Sequence, residues 1–246
     1  MALTTLAYNN KNYQISYELI NNNQIKSILV LHGWGANKEL MKQTFSKVLK
    51  DFNQIYLDLP GFGNSTIEEI LNSKDYANIV LSFLKNKNLH PDIFMGHSFG
   101  GKICTLLLNK NIYPSSLLIL LSSAGIVAKK SFKTRCKIKL FKILKKLGFA
   151  HLYKYFASKD GANLSPLMYE TFKKVVDENC ELDFAKIQNP TLIFWGIEDK
   201  ATPLESGKKI YKLISHSQFF TFEGDHFFFL QNAQKITQII RNNHAK

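Results

Sequence analysis

The chain has 246 residues, a net charge of +13 and a hydrophobic fraction of 45%. This length accommodates one α/β domain with an insertion, and the composition is that of a folded globular protein rather than a disordered chain. No apolar run reaches about 18 residues, which argues against a membrane-spanning helix. The first 12 residues lack the pattern of a secretory signal, and the three cysteines are scattered without metal-ligand spacing. We therefore expect a cytoplasmic protein with reduced thiols.

The positive charge is concentrated in one segment. Between Lys129 and Lys159 there are 11 basic residues and no acidic ones. The rest of the chain has 21 basic and 19 acidic residues and is nearly neutral. Attraction for an acidic partner is therefore expected from this segment only, and specific nucleic-acid binding is not expected of the whole domain.

Short apolar runs alternate with helical patterns along most of the chain. Tyr13 to Leu19 alternates as a strand does, and the Asn-rich turn before it predicts an opening hairpin. Further strands are predicted at Ile25–Leu31, Gln54–Leu59, Ile93–Met95, Leu117–Leu121, Thr191–Trp195 and Gln218–Phe222. Helices are predicted at Leu40–Leu49, Asp75–Lys85, Phe99–Asn109 and Ala233–Arg241. This alternation predicts an α/β fold with a mainly parallel sheet between helices on both faces.

The alternation stops between Ala124 and Asp183. We expect a helical insertion over residues 124–183, with the α/β core formed by residues 1–123 and 184–246. Within the insertion, residues 137–148 place five apolar residues on one helical face and four lysines opposite them. The lysines form either a solvated surface over a buried stripe or a docking surface for an acidic partner or an anionic head group.

The segment Gly96-His-Ser-Phe-Gly100 lies between a predicted strand and a predicted helix. A serine hydroxyl becomes a good nucleophile only when it is held exposed, near a base and near oxyanion donors. The G-x-S-x-G pattern at a strand–turn–helix junction is typical of such a nucleophile, because the tight turn exposes the serine and the glycines permit close backbone approach. The context predicts that Ser98 is a nucleophile.

The segment His32-Gly33-Trp34-Gly35 directly follows another predicted strand. Small residues there allow backbone N–H groups to approach a tetrahedral oxyanion. We assign the oxyanion donors to the backbone N–H groups of Trp34 and Phe99. His32 could be a catalytic base, but we favour a structural role in which its ring fixes the loop through hydrogen bonds.

Candidates for the acid and the base follow the last two predicted strands. Glu198 and Asp199 both qualify as the carboxylate that orients a catalytic imidazole, and Asp199 could alternatively only shape an Asx turn. His226, between Gly224 and an apolar run, is the best candidate general base. The remaining histidines lack this context and are expected to be bystanders; His97 in particular is expected to point away. These are His90, His97, His151, His216 and His244.

Taken together, these motifs resemble the α/β-hydrolase fold superfamily, in the family's order and over nearly the whole chain. The segments that carry the resemblance are His32-Gly-Trp-Gly35, Asp58-Leu-Pro-Gly-Phe-Gly-Asn-Ser65, Gly96-His-Ser-Phe-Gly-Gly101, Gly196-x-x-Asp199-x-x-x-Pro203 and Gly224-Asp-His226. The resemblance implies a Ser98–Asp199–His226 triad, because the family's acid usually lies in a Gly-x-x-Asp turn. It also implies a helical cap inserted after Leu117–Leu121 and no metal or organic cofactor.

Asp58–Ser65 is similar to a structural turn of the family, and we assign it no catalytic role. Asp225, immediately before His226, departs from the small or polar residues usual there and could perturb the base.

Within the superfamily, the motifs are similar to those of small carboxylesterases, ester hydrolases that act on acyl-carrier proteins, and meta-cleavage C–C hydrolases. Ser98 disfavours dehalogenases and epoxide hydrolases, which have an aspartate at that position. The leading hypothesis is a serine hydrolase that cleaves a carboxylic ester or thioester through an acyl-enzyme.

The substrate would be a small molecule or an acyl group on an acidic carrier protein docked at the lysines from Lys129 to Lys159. The alternatives are a C–C hydrolase with the same triad, and a binding protein for anionic membranes or nucleic acid with a vestigial site. Intact candidates at all three triad positions argue against the binding protein.

Overall fold

The computed structural model describes residues 1–127 and 164–244. The predicted amphipathic helix over residues 137–148 and the basic segment from Lys129 to Lys159 lie outside the described residues. The proposed boundaries of the insertion, at residues 124 and 183, stay a prediction.

The described residues form one sheet with the strand order β1-β2-β4-β3-β5-β6-β7-β8. The strands are β1 (Ala2–Tyr8), β2 (Lys11–Ile20), β3 (Ser27–Leu31), β4 (Asn53–Leu57), β5 (Ile93–His97), β6 (Leu117–Leu121), β7 (Thr191–Gly196) and β8 (Ser217–Phe222). β1 and β2 form an antiparallel hairpin, β2 pairs antiparallel with β4, and every neighbouring pair from β4 to β8 is parallel. The predicted hairpin and the mainly parallel sheet are confirmed.

The register of the central strands brings their carboxyl ends to one level. Leu31 at the end of β3 lies opposite Gly96 of β5, and His97 at the end of β5 lies opposite Leu121 of β6. Loops that leave these strands therefore emerge side by side along one edge of the sheet, where ligand sites of parallel sheets are found.

Helices cover both faces of the sheet. They are α1 (Lys38–Phe45), α2 (Ser73–Asn86), α3 (Phe99–Leu108), α4 (Pro166–Val176), α5 (Glu181–Ala185), α6 (Leu204–Leu213) and α7 (Phe229–His244). α1 and α7 pack in one apolar core, whereas α2 to α6 contribute to the core on the opposite face. Because β5 and β6 are buried along their whole length between these layers, their sequences are nearly continuous in apolar residues.

Helix α6 was not predicted from the sequence, and Gly207 in its middle explains why. Glycine lowers helix propensity by about 1 kcal/mol relative to alanine, which weighs against a helix even though the apolar residues recur at helical spacing. In the folded protein a Cβ at this position would lie 2.6 Å from the ring of Trp195 on β7. The glycine is therefore needed for close packing of the helix on the sheet.

In the part of the chain that the structure describes, no helix combines the length and the apolar character needed to cross a bilayer.

Candidate active site

The candidate residues all follow carboxyl ends of strands in the parallel part of the sheet. Ser98 follows β5, Asp199 follows β7 and His226 follows β8, while Trp34 lies in the loop after β3. Sheet topology thus collects at one edge residues that are separated by more than half of the chain.

Ser98 has a strained backbone. Its φ of 49° and ψ of −111° are unusual for a residue with a side chain. Its neighbours on both sides are buried, whereas Ser98 itself is half-buried. The turn is possible because a Cβ on Gly96 would lie 2.3 Å from the carbonyl carbon of Gly100, and a Cβ on Gly100 would lie 2.5 Å from the oxygen of Leu31. The glycines of the motif let α3 start directly against β5 and β3.

The backbone N–H groups of Trp34 and Phe99 are the predicted oxyanion donors. Neither donates a backbone hydrogen bond to another of the described residues. Phe99 is the first residue of α3, where N–H groups have no intrahelical partner. Trp34 lies in a turn closed by a bond from Ala36 N to Gly33 O at 3.2 Å. The rings of Trp34 and Phe99 are in edge contact, with centroids 5.4 Å apart, so the two backbone segments are near each other.

Asp199 and His226 are hydrogen-bonded, with Nδ1 of His226 2.7 Å from Oδ2 of Asp199. The carboxylate can only accept, so Nδ1 carries the proton and Nε2 is left as the basic nitrogen. The carboxylate side chain is fully buried, whereas the imidazole is 16% exposed. Glu198, the alternative acid, is exposed and lines a pocket together with His226.

The Asp199 carboxylate is held by four groups. Oδ1 accepts from the N–H groups of Ala201 (2.8 Å) and Thr202 (2.9 Å), so the predicted Asx-type turn is also present. Oδ2 accepts from His226 and from the Thr202 hydroxyl at 2.8 Å. Burial raises the pKa of Asp199, but the hydrogen bonds from His226 and Thr202 outweigh it and hold the pKa below 3.8. The acid is therefore ionised at neutral pH.

Thr202 is a site residue that the sequence did not indicate. Its Oγ1 lies 2.8 Å from Asp199 Oδ2, 3.1 Å from the Ser122 carbonyl oxygen and 3.3 Å from His226 Nδ1. It thereby links the loops after β6, β7 and β8. Its position three residues after the candidate acid is the only signal in the sequence, and hydroxyl residues are common in such turns for purely local reasons.

His32 has the structural role that was favoured for it. The ring is fully buried, its Nδ1 donates to Gly33 O at 2.8 Å, and its Nε2 accepts from Leu59 N at 3.0 Å. Burial lowers the pKa of His32 to about 4, despite the opposing hydrogen bond to Gly33, so the ring is neutral. It joins the loop after β3 to the loop after β4.

His97 does not point away from the site, and the expectation of a bystander is wrong in this respect. Its ring centroid lies 4.6 Å from that of His226, and its Nε2 lies 3.0 Å from the His226 carbonyl oxygen. The prediction rested on the tight turn at Ser98 alone, whereas the tertiary structure packs the chain after β8 against the His97 ring. His90 and His216 are exposed, as expected of bystanders, and His151 lies outside the described residues.

A pocket of about 570 Å³ opens beside His226. Its walls are formed by Glu198, Lys200, Ala201, Asp225, His226 and Phe227. The Asp225 carboxylate accepts from the backbone N–H of Phe227 at 2.8 Å and so shapes the turn that carries His226. This contact gives Asp225 a structural function in the turn.

The comparisons with known proteins agree with this architecture. A family model described as the alpha/beta hydrolase fold matches residues 26–127. An uncharacterised hydrolase of Bacillus subtilis, YugF, is 23% identical over 239 residues, which cover 84% of this chain and 85% of the relative. A pimeloyl-[acyl-carrier protein] methyl ester esterase of Proteus mirabilis is 30% identical over 98 residues, covering 40% of this chain and 36% of the relative.

Among solved structures, an enol-lactonase from Burkholderia xenovorans LB400 is similar with a TM-score of 0.76 and 14% identity, covering 99% of this chain and 100% of that one. Such a likeness shows the shared fold. Together with the strand order, the matches show that this chain has the α/β-hydrolase fold.

Proposed function

We propose that the protein is a serine hydrolase that cleaves a carboxylic ester through a covalent acyl-enzyme. The observation that carries the proposal is the 2.7 Å bond between His226 and a buried, ionised Asp199, at the same sheet edge as the strained Ser98. This bond leaves Nε2 of His226 unprotonated and able to accept a proton.

In the first half-reaction, Nε2 of His226 takes the hydroxyl proton of Ser98 while Oγ attacks the substrate carbonyl carbon. The N–H groups of Trp34 and Phe99 stabilise the negative oxygen of the tetrahedral intermediate. The imidazolium, paired with Asp199, then gives its proton to the leaving alkoxide. The alcohol departs and the acyl group stays on Ser98.

In the second half-reaction, His226 deprotonates a water molecule that attacks the acyl-enzyme. The intermediate collapses, the proton returns to Oγ of Ser98, and the carboxylic acid is released. Protein groups supply every proton transfer and every charge stabilisation in this scheme.

The proposal predicts that Ser98→Ala lowers kcat/KM for a short p-nitrophenyl ester by at least about three orders of magnitude, because the nucleophile is removed. A fluorophosphonate should label wild-type protein at Ser98, as mapped by mass spectrometry. Ser116→Ala is the matched control, because it removes a buried hydroxyl that bonds Pro91 O near the opposite ends of the strands. Wild-type hydrolysis by Ser98→Ala, or labelling at another residue, would contradict the proposal.

A panel of substrates tests which type of bond the protein cleaves. Simple esters, a methyl ester on an acyl-carrier protein, acyl thioesters and a vinylogous diketone share a carbonyl group that Ser98 could attack. We propose an ester because the Proteus mirabilis relative is named as a methyl ester esterase. Turnover of the diketone alone would instead assign the C–C hydrolase alternative.

A further inference from the structure

His97 occupies the space between the candidate oxyanion loop and the candidate base. It is only 1% exposed, and its ring packs against three aromatic rings of the segment after β8. The centroid distances are 4.6 Å to His226, 5.2 Å to Phe227 and 4.6 Å to Phe229. On the other side, a Cβ on Gly33 would lie 2.7 Å from Nδ1 of His97, so the ring lies against the backbone of the oxyanion loop.

The hydrogen bonds of His97 determine its tautomer. Nε2 lies 3.0 Å from the carbonyl oxygen of His226. A carbonyl oxygen can only accept, so Nε2 carries the proton. The buried Nδ1 has no hydrogen-bond partner among the described residues, and a buried acceptor without a partner costs free energy. Packing and the bond to His226 must offset this cost.

His97 is neutral at physiological pH. Burial, and then the neighbouring His226, lower the pKa of His97 to about 3, against the opposing effects of its bond to His226 and of Asp199. His32 is the other titratable group that acts on this ring, and it disfavours protonation as well. A neutral ring is the form that can stand beside His226 while the latter becomes a cation during the reaction, because two adjacent cations repel each other.

We propose that His97 is a positioning residue for the base: its neutral Nε2–H tautomer holds the backbone of His226 and sets the place of the imidazole relative to Ser98. The inference deepens the proposed function, since it rests on His226 acting as the base. The Asp199 bond fixes the direction of the imidazole, and the His97 bond fixes the position of the backbone that carries it. The residue before the nucleophile thus couples the loop after β5 to the loop after β8.

A matched pair of variants tests the proposal. Gln and Met have similar length and shape, but only Gln has an N–H group that can donate to the His226 carbonyl. We expect His97→Met to lower kcat for a short p-nitrophenyl ester by about 10-fold or more, with KM changed by less than about twofold, because orientation of the base acts on the chemical step. His97→Gln should recover most of kcat, and only His97→Met should shift the acidic limb of the kcat/KM profile.

Equal losses of kcat in the two variants, with equal falls in Tm, would overturn the proposal, because packing alone would then explain them. Retention of wild-type kcat and pH profile by His97→Met would also overturn it. His216→Gln, a change at an exposed histidine, is the control and should leave both quantities unchanged.

A second measurement on wild-type protein does not depend on activity. Imidazole nitrogen NMR should show the His97 signals, assigned by their loss in His97→Gln, as a neutral Nε2–H ring down to about pH 5. His32, with the opposite tautomer, is an internal reference. An Nδ1–H tautomer, or protonation of His97 at about pH 6, would overturn the proposal. If wild-type protein neither hydrolyses esters nor reacts with the fluorophosphonate, the proposed function fails, and NMR still tests the placement of His97.

Discussion

Three neighbouring histidines at the edge of the sheet have their tautomers set by the hydrogen bonds of their rings. Nδ1 carries the proton in His32 and His226, because a backbone carbonyl and a carboxylate accept from it. Nε2 carries the proton in His97, because it donates to the His226 carbonyl. One residue type therefore fixes a loop at His32 and, in the proposed function, positions the base at His97 and supplies it at His226. The roles differ because each ring has a different hydrogen-bond acceptor within reach.

The Thr202 hydroxyl belongs to the same network, and its removal gives a prediction at the residue scale. Thr202→Val keeps the side-chain volume but removes a donor to Asp199 Oδ2. A hydrogen bond to a charged group contributes about 1.5–3 kcal/mol. We expect kcat/KM for a short ester to fall about 10-fold, because the carboxylate is held less firmly toward His226. Steady-state kinetics near neutral pH measures the effect.

Thr202→Ser is the matched control, because it keeps the hydroxyl. It should stay within about threefold of wild type, which is less than the loss of one hydrogen bond would cause. Equal kcat/KM for wild type and Thr202→Val would show that the backbone N–H groups of Ala201 and Thr202 hold the acid without the hydroxyl.

At the scale of elements, a buried ion pair ties helix α1 to the loop after β4. Lys38 Nζ donates to Asp58 Oδ2 at 2.8 Å, and the two side chains are 1% and 0% exposed. The Lys38 backbone N–H also donates to Asp58 Oδ1, at 2.7 Å. Burial raises the pKa of Asp58, but the bonds from Lys38 and Asn64 outweigh it and hold the pKa below 3.8. The pair joins the start of α1, just after the Trp34 loop, to a neighbouring loop of the sheet edge.

Removing only one partner of this ion pair should strongly destabilise the folded protein. Lys38→Met leaves a buried, unpaired carboxylate, and we expect the free energy of unfolding to fall by about 3–5 kcal/mol. The double variant Lys38→Met with Asp58→Asn should lose less than Lys38→Met alone, because no charge remains buried. Urea unfolding followed by circular dichroism measures both.

The control is Lys208→Met, which removes an exposed partner of Glu205 within α6. An exposed pair of this kind contributes at most about 1 kcal/mol. If Lys38→Met cost no more than Lys208→Met, the buried pair would not anchor α1.

At the scale of the whole molecule, burial of neutral histidines makes stability depend on pH. In the folded protein the pKa values of His32 and His97 are lowered from 6.5 to about 4 and about 3. Between these folded values and 6.5 the unfolded chain binds more protons than the native protein, so stability rises with pH and is lost as pH falls below 6.5. The lowered pKa values of Asp58 and Asp199 affect stability mainly near and below 3.8, the ordinary value of an aspartate carboxyl.

We therefore expect the free energy of unfolding to decrease as pH falls from about 6.5 toward 4, with a limiting slope of about 1.4 kcal/mol per pH unit for each buried histidine. Urea unfolding at about pH 7, 5.5 and 4.5 measures this slope. His97→Gln should lower this slope by about 1.4 kcal/mol per pH unit, because one buried neutral histidine is removed. A slope that is the same in His97→Gln and wild type would contradict the lowered pKa.

The sequence by itself determined the fold class, the mainly parallel sheet and the order of the motifs along the chain. These follow from local pattern: apolar runs such as Leu117–Leu121 match β6 residue for residue, and the glycines around Ser98 are required by a turn of five residues. Helix α6 was missed because Gly207 lowers the local helix propensity, and only the packing of the helix against Trp195 explains the glycine.

The resemblance already implied that Asp199 rather than Glu198 pairs with His226, and the structure contains that bond. Only the tertiary structure placed Thr202 between the loops after β6, β7 and β8, and His97 against the His226 backbone. These two sets of contacts have no local signature, because each joins residues whose neighbourhood is set by strand order and register. Hydrogen-bond direction and burial, which fix tautomer and charge, exist only once these loops lie side by side.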